Sequence, residues 1–236
     1  GLYGNGISTI ASDYIAFQGY ASRVYYLEDD DVVRLAPGAI EVFQRDNLSP
    51  RDAQMVPLPV DDRDLDLGRF PHFMAKEMAE QPGILARIAM ESEVEIKAFA
   101  DAIYNSYGCF FVGCGTASYA ALTGSYLFSR IASWHVNFVV GSEFKYHERF
   151  ITDRSLVVAL SQSGETADII EAMHAARRHN ARLGALVNVR HSTLDRMVDI
   201  VLPLGAGPEQ CVLSTKAYTA KVAMLLLTAH ALNGTY

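Results

Sequence analysis

From residue 109 to 204 one pattern recurs. A short run of consecutive apolar residues gives way to a small or hydroxyl-rich turn, and the turn opens a stretch with helical spacing. The apolar runs are 109–113, 136–140, 156–160, 183–189 and 200–204. Runs of four to eight apolar residues, rich in Val, Ile, Leu and Phe and alternating with helices, predict parallel strands covered on both faces. Five such strands make a doubly wound α/β domain, in which ligands sit beyond the carboxyl ends of the strands. Helical spacing also covers 73–90 and 91–106, with Pro82 expected to start a second helix at its first turn. A long closing helix is expected over 214–232.

The first 43 residues read differently. Ile7–Asp13 and 23–27 alternate as strands, and the acidic run 28–31 is expected to turn the second of them into a hairpin with 32–35. Spacing and glycine for an EF-hand are missing from that run, so it reads as a solvated turn rather than a calcium loop. The proline- and aspartate-rich stretch 47–68 reads as an irregular linker. The resulting division is a β-rich block (1–45), a linker (46–72) and an α/β domain (73–236).

The densest chemistry lies after the third apolar run, where 160–166 reads L-S-Q-S-G-E-T. A strand, a tight turn and a helix start aim backbone N–H groups and the helix dipole at one spot, which suits an anion. Ser161, Ser163 and Thr166 add hydroxyls and Gly164 admits close approach. The turn carries no Lys or Arg, so it would hold an anion by neutral donors. A serine-hydrolase elbow is excluded because Ser161 and Glu165 occupy its glycine positions. Plain helix capping by Ser163 or Thr166 is the competing reading.

Two further turns fall on the same sheet edge. G-C-G-T-A-S (113–118) resembles the start of a dinucleotide fingerprint, but Ser118 stands where the third glycine belongs. Cys114 reads as a small buried hydrophobe rather than a nucleophile. The stretch 207–216 leads into the last helix, where Ser214 or Thr215 would serve as cap and aim backbone amides at a ligand. Lys216 and Lys221 are expected on the exposed face.

Composition narrows the function classes. The 236 residues carry a net charge of −7, half are hydrophobic and a fifth charged. This gives no reason to expect nucleic acid or an anionic membrane as partner, and no apolar stretch reaches the length of a membrane span. The three cysteines (Cys109, Cys114, Cys211) fit a reducing cytoplasm. His174 and His179, five apart on a helix, do not share a face, and no metal site or cofactor is expected. The chain opens on Gly1 inside a strand-like pattern, as a piece of something longer would.

The motifs C-G-T, S-Q-S-G-E-T and V-x-S-T-K-A-Y-T, in this order, resemble the sugar-isomerase (SIS) domain family. The likeness is greatest to the first SIS domain of the glutamine–fructose-6-phosphate aminotransferases. F-M-A-K-E-M-A-E-Q-P (73–82) is similar to the segment preceding that domain. I-A-S-D-Y and Y-L-E-D-D-D-V-V-R-L, within 10–35, are similar to the end of the family's glutaminase domain, an Ntn hydrolase. The resemblance implies a flavodoxin-like SIS sheet and conversion of fructose 6-phosphate and glutamine to glucosamine 6-phosphate and glutamate. It implies phosphate-holding roles for Ser161, Ser163 and Thr166. Gln162 and Thr116 would lie near sugar and phosphate, and Val212 and Ser214 would line the sugar. Cys114, Gly115 and Ser118 belong to the same candidate site, Ser118 being the hydroxyl nearest the usual serine position that Ala117 occupies. No catalytic residue is expected in this chain, because the family's acid and base residues come from a second SIS domain. A homodimer is expected. The alternatives are a non-catalytic phosphosugar sensor and a stand-alone phosphosugar isomerase or deglycase.

Overall fold

The computed structural model describes residues 2–4, 7–11, 17, 21–28, 30–58 and 67–236. These divide into two compact units, Gly1–Arg63 and Asp64–Tyr236.

The first unit holds strands β1 (Leu2–Gly4), β2 (Ile7–Thr9), β3 (Arg23–Val24), β4 (Asp31–Ala36), β5 (Ala39–Gln44), β6 (Pro50–Arg51) and β7 (Val56–Pro57). They form two antiparallel sheets, one ordered β2-β1-β3-β7 and the other β4-β5-β6. The expected hairpin is therefore corrected. Residues 31–36 pair with β5 across Pro37–Gly38, while β3 belongs to the other sheet. Gly38, at φ +72°, supplies the turn. The acidic run still turns the chain, with the Asp31 N–H bonded to the Glu28 carbonyl at 3.0 Å, and Asp31 is an anchor as well. Asp31 accepts hydrogen bonds from the Tyr25 hydroxyl (2.8 Å), the Glu28 N–H (2.8 Å) and Arg51 Nη1 (2.9 Å). The strands β6 and β7 lie inside the stretch expected as linker; its aspartate-rich part, 59–66, lies outside the described residues, as do Ser12 and Asp13 of the first expected strand.

The second unit opens with α1 (Phe73–Glu91) and α2 (Glu93–Tyr104). It continues through β8 (Cys109–Gly113), α3 (Thr116–Leu127), β9 (Val136–Val140), β10 (Leu156–Ser161) and α4 (Ala167–Arg178). Strand β11 (Arg182–Val187), α5 (Thr193–Met197), β12 (Ile200–Pro203) and α6 (Lys216–Leu232) complete it. All five strands are parallel, in the order β12-β11-β10-β8-β9. Pro82 does not start a helix: α1 runs through it. Pro82 lies on the exposed side of α1, where water can replace the missing donor for the carbonyl one turn earlier.

Strands β8 and β10 are buried along their whole length because both faces are covered. Alternate residues divide between two cores, as the two-residue period of a strand requires. Phe111, Leu156, Val158 and Leu160 pack with Ile96, Phe99, Phe128, Met224 and Leu225. Phe110, Val112, Val157 and Ala159 pack with Ile169, Met173 and Leu183 on the other face. Helix α6 packs against α1, α2 and α3. Each large aliphatic side chain buried this way contributes about 1.5–3 kcal/mol, the main term holding the sheet.

Candidate functional site

The chain leaves β8 toward β9 on one side and returns through β10 on the other, so the strand order reverses between β8 and β10. Gly113 and Leu160 pair in register there, and the turns that follow leave the sheet side by side. A crevice at such a reversal is where open α/β sheets bind ligands.

The turn after β10 is built to leave donors open. Ser161 Oγ accepts from the Gly164 N–H at 2.9 Å and Ser163 Oγ accepts from the Glu165 N–H at 3.2 Å. Each hydroxyl thus acts as acceptor within the turn, which leaves its own proton available as a donor. Thr166 stands at the N-cap of α4 with no side-chain cap bond, and its carbonyl accepts from Ile169 and Ile170. The N–H groups of Ser163, Thr166, Ala167 and Asp168 find no protein acceptor among the described residues. Four open amides at the positive end of a twelve-residue helix make a site of positive potential without a cation. Gln162 and Ser163 are half-buried at its rim.

This turn is braced from α5. The Gln162 carbonyl accepts from the Val189 N–H (3.2 Å), the Gly164 carbonyl from the Leu194 N–H (3.0 Å), and Glu165 Oε1 from the Thr193 N–H (2.7 Å).

The turn after β8 is arranged differently. Gly115, at φ +54°, opens α3, with Ala117 N–H bonded to the Cys114 carbonyl and Ser118 N–H to the Gly115 carbonyl. Ser118 is buried and its hydroxyl donates to the Gly115 carbonyl at 2.7 Å, so its proton is engaged inside the turn. Gly115 and Thr116 are exposed. Cys114 is half-buried against the start of the next loop, where the N–H groups of Gly141 and Ser142 meet its sulfur. A Cβ on Gly141 would lie 2.6 Å from that sulfur. Burial, then the nearby charge of Asp168, pushes the Cys114 thiol above its ordinary pKa. It is an unreactive packing group at neutral pH.

The third stretch runs from β12 to α6. Asn188, after β11, grips its start: its amide donates to the Gly207 carbonyl (2.7 Å) and its side-chain oxygen accepts from the Ala206 N–H (3.0 Å). Glu209 then caps α6 internally, accepting from the Thr215 N–H (2.8 Å) and the Ala217 N–H (3.1 Å), with the Ser214 hydroxyl at 3.3 Å. The expectation that these amides would be aimed at a ligand is therefore corrected: a carboxylate of the same loop already occupies them. Val212 is 100 % exposed and Ser214 half-buried.

Lys216 and Lys221 are also corrected, since both are buried. Lys216 pairs with Glu80 on α1. Lys221 Nζ donates to the Ala217 carbonyl at 3.3 Å, and burial pushes its pKa down to about 8 against the opposing pull of Glu209. Sequence reasoning also passed over Glu77, 2 % exposed on α1, which receives hydrogen bonds from the third stretch. A signal for it existed. Glu77 falls in line with Ile84 and Ile88 on the buried stripe of α1, and an acid on an apolar stripe requires partners.

The SIS domain family matches residues 102–231 of this chain. Among curated proteins, the glutamine–fructose-6-phosphate aminotransferase (isomerizing) of Thermus thermophilus is 39 % identical over 234 residues, covering 96 % of this chain and 38 % of that protein. Its namesake in Thermotoga maritima is 33 % identical over 231 residues, covering 95 % and 38 %. The chain spans under two-fifths of the length of these relatives. Among solved structures, the C-terminal domain of the Francisella tularensis glucosamine-fructose-6-phosphate aminotransferase superposes with a TM-score of 0.67. That match has 28 % identity and covers 73 % of this chain and 50 % of the other. Glucosamine-6-phosphate deaminase from Thermotoga maritima, at 19 % identity and a TM-score of 0.59, shares the fold over 70 % of this chain and 49 % of its own.

Proposed function

The chain belongs to the SIS domain family, and from that premise we propose that it is the sugar-phosphate-holding part of a glutamine–fructose-6-phosphate aminotransferase. The observation that carries the proposal is the turn after β10, whose four open amides and two hydroxyls with protons available to donate suit a phosphate group. Ser161, Ser163 and Thr166 hold the phosphate of fructose 6-phosphate. Gln162, Cys114, Gly115 and Thr116 bound the crevice between sugar and phosphate, Ser118 supports the turn after β8 from inside through its bond to the Gly115 carbonyl, and Val212 and Ser214 line the sugar.

The phosphate supplies binding energy remote from the reacting carbons, which is how an enzyme pays for orientation at the reacting centre. Ring opening, imine formation and proton transfer between C1 and C2 need acid and base groups that a second SIS domain brings. Residues 1–45 are the end of a glutaminase domain, 46–72 the linker and 73–236 the first SIS domain. Two antiparallel sheets in the first unit are in keeping with that assignment. The chain alone completes no turnover, pairs with a second copy of itself and works in the cytoplasm, a setting suited to its three free cysteines.

Thermal unfolding with fructose 6-phosphate, glucose 6-phosphate or no ligand tests the proposal. Ligand at a hundred times its dissociation constant adds about 2.7 kcal/mol of stability. A rise with phosphosugar that shrinks in Ser163→Ala supports the assignment, and no rise with either sugar overturns it. Glucosamine 6-phosphate formed by the purified chain would refute the statement that it completes no turnover.

A further inference from the structure

The third stretch has few regular backbone bonds of its own between Gly207 and Thr215, yet it must present Val212 and Ser214 in one place if they are to line a sugar. Its conformation is set from α1. The Glu77 carboxylate, 2 % exposed, accepts the Gln210 N–H at 2.6 Å and the Cys211 N–H at 2.9 Å through Oε1. Its Oε2 accepts the Thr215 hydroxyl at 3.0 Å. The residues immediately before Val212 and immediately after Ser214 are thus tied to one buried side chain. Thr215 Oγ1 also lies 3.3 Å from Glu209 Oε1, the oxygen that caps α6. One hydroxyl proton is shared between two carboxylates, so the hold of α1 on the loop and the cap of α6 are joined at Thr215.

We infer that Glu77 is a positioning residue for the sugar end of the site: it does not touch the ligand, but fixes the backbone on either side of Val212 and Ser214. Hydrogen bonds from backbone N–H to a buried carboxylate are among the stronger ones in proteins, and loss of the charge leaves amides without a matched acceptor. The phosphate turn lies apart from this clasp, braced by α5 through Glu165 and Gly164. Removing the clasp should therefore loosen recognition of the sugar and leave phosphate recognition in place.

This inference rests on the phosphosugar reading above, and calorimetric titration of the whole chain with two probes separates the two. The probes are fructose 6-phosphate and inorganic phosphate. Glu77→Gln keeps the shape but turns one acceptor into a donor. The expected result is a loss of tenfold or more in affinity for fructose 6-phosphate, with phosphate affinity within twofold of the unmodified chain. Unchanged fructose 6-phosphate binding overturns the inference, and so does an equal loss for both probes, which would mark general damage. An unmodified chain that binds neither probe overturns the phosphosugar reading itself. If Glu77→Gln does not fold, Thr215→Ser and Thr215→Val take its place. Serine should restore the ratio between the probes and valine should lower it selectively; equal ratios in the two variants overturn the inference.

Discussion

Gly164 and Ser192 approach so closely that a Cβ on the glycine would lie 2.0 Å from Ser192 Oγ and 2.5 Å from Ser192 Cβ. Gly164 also holds φ +73°, a left-handed conformation that side chains disfavour. The turn after β10 and the N-cap residue of α5 are therefore in direct contact. Gly164→Ala should cost about 3 kcal/mol or more, from strain plus the forced separation of the two segments. Chemical denaturation would measure the cost, and a loss under about 1 kcal/mol would mean that the contact yields easily.

The two buried serines at the carboxyl edge should behave differently. Ser118 donates inside its own turn, so Ser118→Ala should lower stability by about 1 kcal/mol and leave phosphosugar binding unchanged. Ser161 accepts from the Gly164 N–H, and on the proposed reading its own proton is donated to the phosphate. Ser161→Ala should weaken phosphosugar binding tenfold or more, since a hydrogen bond to a charged group is worth about 1.5–3 kcal/mol. Denaturation and ligand titration on the two variants check the contrast.

Lys221 gives the domain a pH dependence of defined sign. Its pKa is about 8 in the folded chain against an ordinary value of 10.5. Between those values the unfolded chain binds the extra proton, so the contribution of Lys221 to stability rises with pH, by at most about 1.4 kcal/mol per unit. Below pH 8 the full desolvation cost is present. Lys221→Met should raise stability at pH 7 and flatten the rise from pH 8 to 10.5 relative to the unmodified chain. Denaturation midpoints across that range would show it, and parallel pH curves for the two proteins would refute it.

Cys114 should react slowly. With its thiol pKa raised by burial and by Asp168, little thiolate exists at pH 7.5. Alkylation by iodoacetamide should be slower than for a free cysteine. Cys109, fully buried and shifted upward by that burial, should react only on unfolding. Mass spectrometry of time points resolves the sites.

Those side chains also mark where sequence reasoning succeeded and where it stopped. Strands β8 and β10 were legible because burial on both faces leaves no polar position to confuse the period. Pro82 misled because a proline on an exposed helix face costs less than its local chemistry implies. Lys216 and Lys221 were misplaced because α6 is packed by three helices, and nothing local announces that a lysine among alanines and leucines faces inward. The S-Q-S-G-E-T stretch was legible as a tight turn between a strand and a helix from its apolar lead-in, its glycine and its hydroxyls. What the turn leans on was not, since Ser192, Thr193 and Leu194 lie almost thirty residues onward and meet it only in the fold. The internal cap by Glu209 was hidden for a related reason: an acid seven residues before a helix can face water as easily as turn back on it.

The open donors after β10 carry no formal charge, and the chain around them has a net charge of −7. Such a pocket exerts little long-range pull on an anion, which meets it by ordinary diffusion rather than by electrostatic steering. Dissolved salt screens charge over about 10 Å at 0.1 M, so it weakens both the attraction of the helix end and the repulsion from the negative chain. Any grip on an anion at this turn acts at contact distance, with no cation in the turn to steer the anion in.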